Sequence, residues 1–321
     1  MKILVTGCAG FIGFSLVQRL CENSKFKVYG IDNINSYYDI NLKKNRLSIL
    51  KKKKNFRFFK LDITDGKKIS KNFNLYKYNI VFHLAAQAGV RFSITNPDQY
   101  ISSNLVGFFN IINSSSKIKI KHFIFASSSS VYGNSTKFPL KEDENTDYPL
   151  SLYAATKKSN EVIAHSYSNI FKLPCTGLRF FTVYGPYGRP DMALFKFTKN
   201  TYEGKGIKLF NKGNHTRDFT YIDDVVTSLV KLIDKPSNKF IPFEIFNISN
   251  NNPVQLRNYL NTIFNYLNKK ARIKNLDLQI GDVKKTWGSN KKLEYKIKFS
   301  PNTKIKYGIK KFIEWYKNYY E

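Results

Sequence analysis

A doubly wound α/β fold, built on a parallel sheet with a smaller domain after it, is predicted by three features of this 321-residue sequence. Short apolar runs alternate with helical patterns through the first half of the chain, as a parallel sheet with crossover helices requires. Gly7, Gly10 and Gly13 follow the first run and open a helix. Asp32 closes the second run, roughly twenty residues beyond that triplet. The strands are expected at 2–6, 27–31, 56–60, 80–83, 122–126 and 175–180, with helices between them. Ligands belong at the carboxyl ends of such strands. Beyond Pro186 the pattern loses regularity, with Gly/Asn-rich turns at 211–214 and 250–253. The expected division is therefore 1–185 as a dinucleotide-binding domain that also receives 219–248, with 186–218 and 249–321 forming the smaller substrate-binding domain.

Each glycine of the triplet has a physical task. Glycines permit a tight turn and let a pyrophosphate approach the helix N-terminus, where free amides and the helix dipole favour anions. Asp32 is placed to accept from the adenosine ribose hydroxyls. The same carboxylate repels a 2′-phosphate, so the expected cofactor is NAD rather than NADP. Asp62, just past the third strand, has two readings: a partner for the adenine amine, or a cap for the segment that follows.

Ser128, Tyr153 and Lys157 point to nicotinamide chemistry on a hydroxyl group. Tyr153 and Lys157 are four apart in a stretch of helical character over 153–167, so both side chains leave one face a turn apart. A free phenol titrates near 10, so a tyrosine base near neutral pH needs roughly 3 units of depression, or about 4 kcal/mol. An adjacent ammonium and a positive nicotinamide ring are the expected sources. Glu161, one turn beyond Lys157, competes with the phenolate if it reaches that ammonium.

Bulk properties exclude other classes. Lys and Arg number 53 against 23 Asp and Glu, a formal net charge of +30. That excess is spread along the chain with abundant Asn and Ile, as in proteins encoded by AT-rich DNA, and reads as solvated surface rather than a nucleic-acid face. Lys51–Lys54 with Arg57 and Lys60 offer the local exception. No apolar run approaches the about 18 residues of a membrane span, and the first strand begins directly after Met1, so neither a membrane segment nor a signal peptide is expected. Cys8, Cys21 and Cys175 are scattered and the four histidines form no cluster with them. Free thiols, a cytoplasmic setting and no metal site follow.

A family resemblance rests on longer segments. The loop "GCAGFIG", "HLAAQAG" at 83–89, "ASSSSVYG" at 126–133 and the Tyr153/Lys157 pair resemble the extended short-chain dehydrogenase/reductases, the NAD-dependent epimerase/dehydratase family of nucleotide-sugar enzymes with a Rossmann domain. More narrowly, "DNINSYYDINLKKNRL" at 32–47, "RFFTVYGPYGRPDMALFKFTK" at 179–199, "RDFTYIDD" at 217–224 and "GDV" at 281–283 resemble the UDP-glucuronate 4-epimerases. The resemblance covers essentially the whole chain. It implies NAD held by Gly7, Gly10, Phe11, Ile12, Gly13, Asp32, Asn33, Asp62, Ile63, Leu84 and Lys157. It also implies a UDP-sugar substrate, drawn in by the positive field, and a homodimer formed through helices around 96–113 and 153–169.

The implied reaction is epimerisation at C4 of UDP-glucuronate to UDP-galacturonate through a 4-keto sugar. Tyr153 takes the hydroxyl proton, Ser128 bonds the reacting oxygen, and Lys157 binds the nicotinamide ribose and depresses the tyrosine. The 4,6-dehydratases of this family place Asp and Glu after the catalytic Thr, and the uronate decarboxylases a Glu; here stand Ser129 and Ser130, which can donate to a carboxylate but cannot serve as acid and base near neutral pH. A serine run at a strand end can equally satisfy only backbone groups. A 4-keto uronate is a β-keto acid, and it loses carbon dioxide when the C5–carboxylate bond stands perpendicular to the carbonyl plane. Ser129, Ser130, Thr182 and Arg189 are the expected grip on that carboxylate. Arg189 in a Gly-Arg-Pro turn can also simply face solvent. Arg217 resembles the family's diphosphate-binding Arg, and Asp282 its uridine-ribose partner. Gln279 stands where some sugar epimerases carry a second phosphate-binding Arg. Other readings remain: a 4-epimerase of UDP-glucose or UDP-N-acetylglucosamine with the same catalytic set, net dehydrogenation, and a catalytically silent NAD-sensing or RNA-associated protein.

Overall fold

Strands and helices alternate as the sequence predicts. The computed structural model describes residues 1–278 and 282–321. The chain begins β1 (Lys2–Thr6), α1 (Phe11–Cys21), β2 (Lys27–Asp32), α2 (Ile40–Lys51), β3 (Phe56–Lys60), α3 (Gly66–Tyr76) and β4 (Ile80–His83). Short helices α4 (Phe92–Thr95) and α5 (Pro97–Tyr100) lead through wider π-type turns at Ile101–Gly107 into α6 (Phe108–Lys117), β5 (His122–Ser128), α7 (Leu152–Phe171) and β6 (Cys175–Phe180). There follow β7 (Thr182–Tyr184), α8 (Ala193–Tyr202), β8 (Ile207–Phe210), β9 (Thr216–Tyr221), α9 (Ile222–Leu232) and β10 (Phe243–Ile248). The last elements are β11 (Pro253–Gln255), α10 (Leu256–Leu267), β12 (Ile273–Leu276), α11 (Lys291–Ile297) and α12 (Ile305–Tyr320).

Seven parallel strands form the large sheet in the order β10-β6-β5-β4-β1-β2-β3. Its central strands β1, β4 and β5 are apolar on both faces, because helices cover both. Ile3 and Val5 point into one core with Ile80, Phe82 and Ile124, while Leu4, Val81, Phe123 and Phe125 point into the other with Ile69, Ile111 and Ala164. That alternation is the period-two geometry of a strand buried on both sides. β1 and β4 are neighbours although β2 and β3 intervene in the chain, which makes their carboxyl ends the switch point of the sheet.

Besides β2, which ends one residue late at Asp32, two elements run longer than expected. β5 continues past 126 because Ser127 and Ser128 still pair with Arg179 and Phe180 of β6. α7 starts where the Ser151 hydroxyl accepts from the Ala154 amide at 3.2 Å and continues past 167 until Lys172 turns left-handed, with φ of 52°.

A second, three-stranded sheet orders β11-β9-β7, and β8 pairs with β12. The expected boundary at 185/186 falls beside this sheet rather than before it: β7 precedes the boundary, and β9 straddles the one expected at 218/219. The chain leaves the large sheet at Phe180, the last residue of β6, and β10 later returns to that sheet beside β6.

Candidate functional site

One cavity of about 1170 Å³ opens at the switch point and runs from the glycine loop to β8. Gly7, Gly10, Phe11, Ile12, Gly13, Asp32, Asn33, Ile63 and Leu84 line it at one end. Ser128, Ser129, Ser130, Tyr153, Lys157, Thr182, Arg189 and Asp282 line the rest. Fold topology alone brings these residues together, since they come from the ends of five strands, the start of two helices and two loops.

The glycine loop fits a dinucleotide pyrophosphate. A Cβ on Gly7 would stand 2.8 Å from the Ala85 nitrogen, and one on Gly13 would stand 2.1 Å from the Gly7 carbonyl oxygen, so neither position tolerates a side chain. Gly7 has φ of 72°, the left-handed region that glycine enters without penalty. Gly10 caps α1 without a side-chain hydrogen bond, which leaves the first amides of the helix open to an anion in the cavity. The Asp32 carboxylate is held in place by amides, accepting from Ala9 at 3.0 Å and from Ile34 at 2.8 Å. Burial raises its pKa, against those amides and the charges of Lys43 and Arg46. Each oxygen keeps a lone pair for a ribose hydroxyl.

Asp62 and Arg217 do not line the cavity. The contacts of Asp62 within the protein are local: its carboxylate accepts from the Thr64 amide at 2.9 Å, the Thr64 hydroxyl at 2.7 Å and Asn33 Nδ2 at 2.8 Å. Burial raises its pKa, but the bonds from Asn33 and Thr64 outweigh it and leave the group below the usual range. Arg217 donates to the carbonyls of Thr216 and Lys284 at 3.1 and 3.3 Å. Asp282 sits nearby and pairs with Arg91 at 2.7 Å. Arg91, stacked over Phe210 with its guanidinium 4.8 Å from the ring centre, lines the cavity and was not singled out by the sequence, although it lies two residues beyond the quoted 83–89 segment. Gln279 and Gly281 lie outside the described residues.

At the centre, Ser130 nitrogen donates to the Ser128 hydroxyl at 3.1 Å, so a one-turn helix over Ser129–Tyr132 starts on that serine. Lys157 Nζ donates to the Ala126 carbonyl at 2.9 Å, and burial pushes its pKa down to about 8. Tyr153 departs from expectation. Burial raises the phenol above its ordinary value, and the groups pulling it down are Ser128 and the Arg189 charge rather than Lys157. A lysine ordered against a backbone carbonyl does not act on the phenol as one hydrogen-bonded to it would. Glu161 does not reach Lys157: both its oxygens take the Arg179 guanidinium at 2.9 Å, and Ser127 donates to it at 2.6 Å.

Arg189 is not free in solvent. Its Nε and Nη2 donate to the two oxygens of Asp191 at 3.0 and 2.5 Å. Asp191 also accepts from the Tyr37 hydroxyl at 3.2 Å. Beneath the turn that carries them, fully buried Arg46 donates to the Ala9 carbonyl at 2.9 Å and the Tyr187 carbonyl at 2.7 Å, which ties the glycine loop to the Gly188–Pro190 segment. Tyr37, Lys43 and Arg46 all lie within the 32–47 segment, so a signal existed for them without a role attached.

Such a site, a pyrophosphate cradle facing a Ser/Tyr/Lys cluster, defines a nicotinamide-dependent enzyme of the extended short-chain dehydrogenase/reductase type. The chain belongs to the NAD dependent epimerase/dehydratase family, whose model matches residues 3–249. It is 48% identical to Protein CapI of Staphylococcus aureus over the whole of both chains. It is 40% identical to a probable UDP-glucuronate 4-epimerase of Rhizobium meliloti, covering 100% of this chain and 98% of that protein. Among solved structures, UDP-glucuronic acid 4-epimerase from Bacillus cereus, in complex with UDP-glucuronic acid and NAD, superposes with a TM-score of 0.94 at 34% identity and complete coverage of both chains.

Proposed function

We propose that this protein interconverts UDP-glucuronate and UDP-galacturonate by epimerisation at C4. The observation that carries the reading is one cavity in which Ser128–Ser130, Tyr153, Lys157, Thr182 and Arg189 face the glycine loop. NAD, held by the glycine loop, Asp32 and Lys157, supplies a hydride acceptor that returns what it takes, so net redox change is zero. Tyr153 removes the proton of the C4 hydroxyl and later gives it back to the inverted centre. Ser128 donates to the reacting oxygen. For the phenol to work as a base, its burial must be offset by positive charge, which Arg189 and the bound cofactor contribute.

Substrate choice rests on the C6 end. Ser129, Ser130, Thr182 and Arg189 are donors on the cavity wall, and no carboxylate takes the two positions after Ser128. Held by them, the C6 carboxylate stays near the plane of the C4 carbonyl, and the orbital overlap that decarboxylation needs is withheld. UDP-glucose lacks the charge that would reward Arg189.

Incubating the protein separately with UDP-glucuronate, UDP-glucose and UDP-N-acetylglucosamine, then separating products by chromatography and mass, tests the reading. UDP-galacturonate is expected as the main product, still carrying deuterium when the substrate is labelled at C4. Faster turnover of UDP-glucose, pentose as the main uronate product, or washout of label would overturn it.

Residues 1–185 with 219–248 are read as the NAD-binding unit and 186–218 with 249–321 as the nucleotide-sugar unit, a division supported by the return of β10 to the large sheet. Exposed Val106 and Phe109, together with exposed Val162 and Ile170 on α7, which packs against the 101–117 segment, favour a homodimer through these helices. Among the described residues no helix is long and apolar enough to cross a membrane. A cytoplasmic enzyme supplying polysaccharide synthesis is the setting this reading favours.

A further inference from the structure

An arginine has five N–H donors, and which of them face a ligand depends on what already holds the others. Asp191 takes Nε and one N–H of Nη2 on the side edge of Arg189. Nη1 makes no hydrogen bond among the described residues, so the end-on fork formed by Nη1 and the second N–H of Nη2 is left for the cavity. Tyr37 fixes the other partner. Its hydroxyl donates to the same Asp191 oxygen that Nη2 uses, at 3.2 Å, and its ring lies under the guanidinium at 5.8 Å. Packing of Tyr37 on Phe92, with ring centres 4.8 Å apart, and the close approach of its hydroxyl to Gly89 leave it little room to swing. Tyr37 follows Asp32 and Asn33 on the β2–α2 loop, whereas Arg189 and Asp191 come from the turn before α8.

We propose that Asp191 and Tyr37 are positioning residues for uronate selectivity, holding Arg189 so that its end-on fork, and no other edge, meets the C6 carboxylate. This rests on the reading of the protein as a uronate 4-epimerase. Asp191 also neutralises the arginine when no uronate is present. A bare guanidinium at this end of the cavity would compete for the substrate's diphosphate, whereas a paired one rewards only a carboxylate that arrives in the plane of the fork.

The test uses the NAD-loaded full-length enzyme, with Asp191→Ala and the milder Tyr37→Phe, and measures dissociation constants for UDP-glucuronate and UDP-glucose alongside KM and kcat. Asp191→Ala is expected to weaken UDP-glucuronate about tenfold and Tyr37→Phe about threefold, each changing UDP-glucose by less than about twofold. The loss should fall on KM more than on kcat, and the pentose fraction of the product should rise with it. Equal weakening of both sugars, or no change in either, overturns the assignment while leaving a uronate-preferring wild type intact. A wild type that shows no preference for UDP-glucuronate overturns the functional reading itself, and this inference with it.

Discussion

Two arginine–carboxylate pairs in this molecule share a geometry and differ in surroundings. Arg179 meets Glu161 between β6 and α7 with both contacts at 2.9 Å and side chains 3% and 4% exposed. Arg189 meets Asp191 beside the cavity at 3.0 and 2.5 Å, with 22% and 28% exposed. Around the first pair the remaining groups turn inward: Arg179 Nη1 reaches the Glu142 carbonyl at 3.2 Å, its guanidinium lies over Tyr132, and Ser127 caps Glu161. Around the second, a donor edge is left facing space large enough for a nucleotide sugar. Pairing by itself therefore marks nothing functional. What separates a structural clamp from a recognition element is whether the unspent donors meet protein or cavity.

Breaking the sealed pair should cause the largest effect. Glu161→Ala leaves a guanidinium buried without its counter-charge, and a loss of about 3–5 kcal/mol in unfolding free energy is expected. Denaturant titration measures it, and a loss no greater than that of Arg189→Ala would erase the distinction between the two pairs.

Tyr153→Phe belongs to the open side. Turnover should fall by at least about a hundredfold, the scale of a lost acid/base group, with bound NAD and the unfolding midpoint nearly unchanged. Activity within a few-fold of wild type would remove Tyr153 from the proton transfer.

Arg189→Ala sharpens the comparison in the same region. Removing a charged hydrogen bond to the C6 carboxylate costs about 1.5–3 kcal/mol, roughly ten- to hundredfold in selectivity for the uronate. Mass spectrometry should show more decarboxylated pentose. An unchanged product ratio would mean that the serines and Thr182 hold the carboxylate without it.

The smallest expected effect, taken over any single pH unit, is a pH dependence of the sealed core. His83 lies beside Phe108 and Phe123 with a ring nitrogen 2.8 Å from the Thr6 hydroxyl, and burial, aided by the Lys157 charge, pushes its pKa down to about 3. In the unfolded chain the ring protonates near 6.5. The stability contributed by the neutral ring is complete above that value and is lost as pH falls from about 6.5 toward 3, because only the unfolded chain takes up the proton there. The slope is about 1.4 kcal/mol per pH unit within that window. His83→Gln should flatten the measured profile, and an equal slope in both proteins would place the acid sensitivity elsewhere, with His122 the next buried ring, its pKa pushed down by burial to about 4.

Sequence by itself determined the features whose physics is local. The parallel sheet was legible because a strand buried on both faces needs a short apolar run, and four of the six expected strands end where the structure ends them. The glycine loop was legible because no other residue fits a Cβ-free turn against Ala85, and Tyr153 with Lys157 because a four-residue helical spacing puts them on one face. Partner choice was not. Glu161 could face either Lys157 one turn away or a strand it packs on, and only the placement of β6 under α7 turned it to Arg179. Arg189 read as a carboxylate grip or a solvent-facing turn residue, while Tyr37, whose segment was visible, meets Asp191 across 154 positions of chain. A helix or strand is specified by its own residues within a few positions, but a side chain with several donors takes the partners that tertiary packing brings within about 3 Å, and that distance is decided by the whole fold.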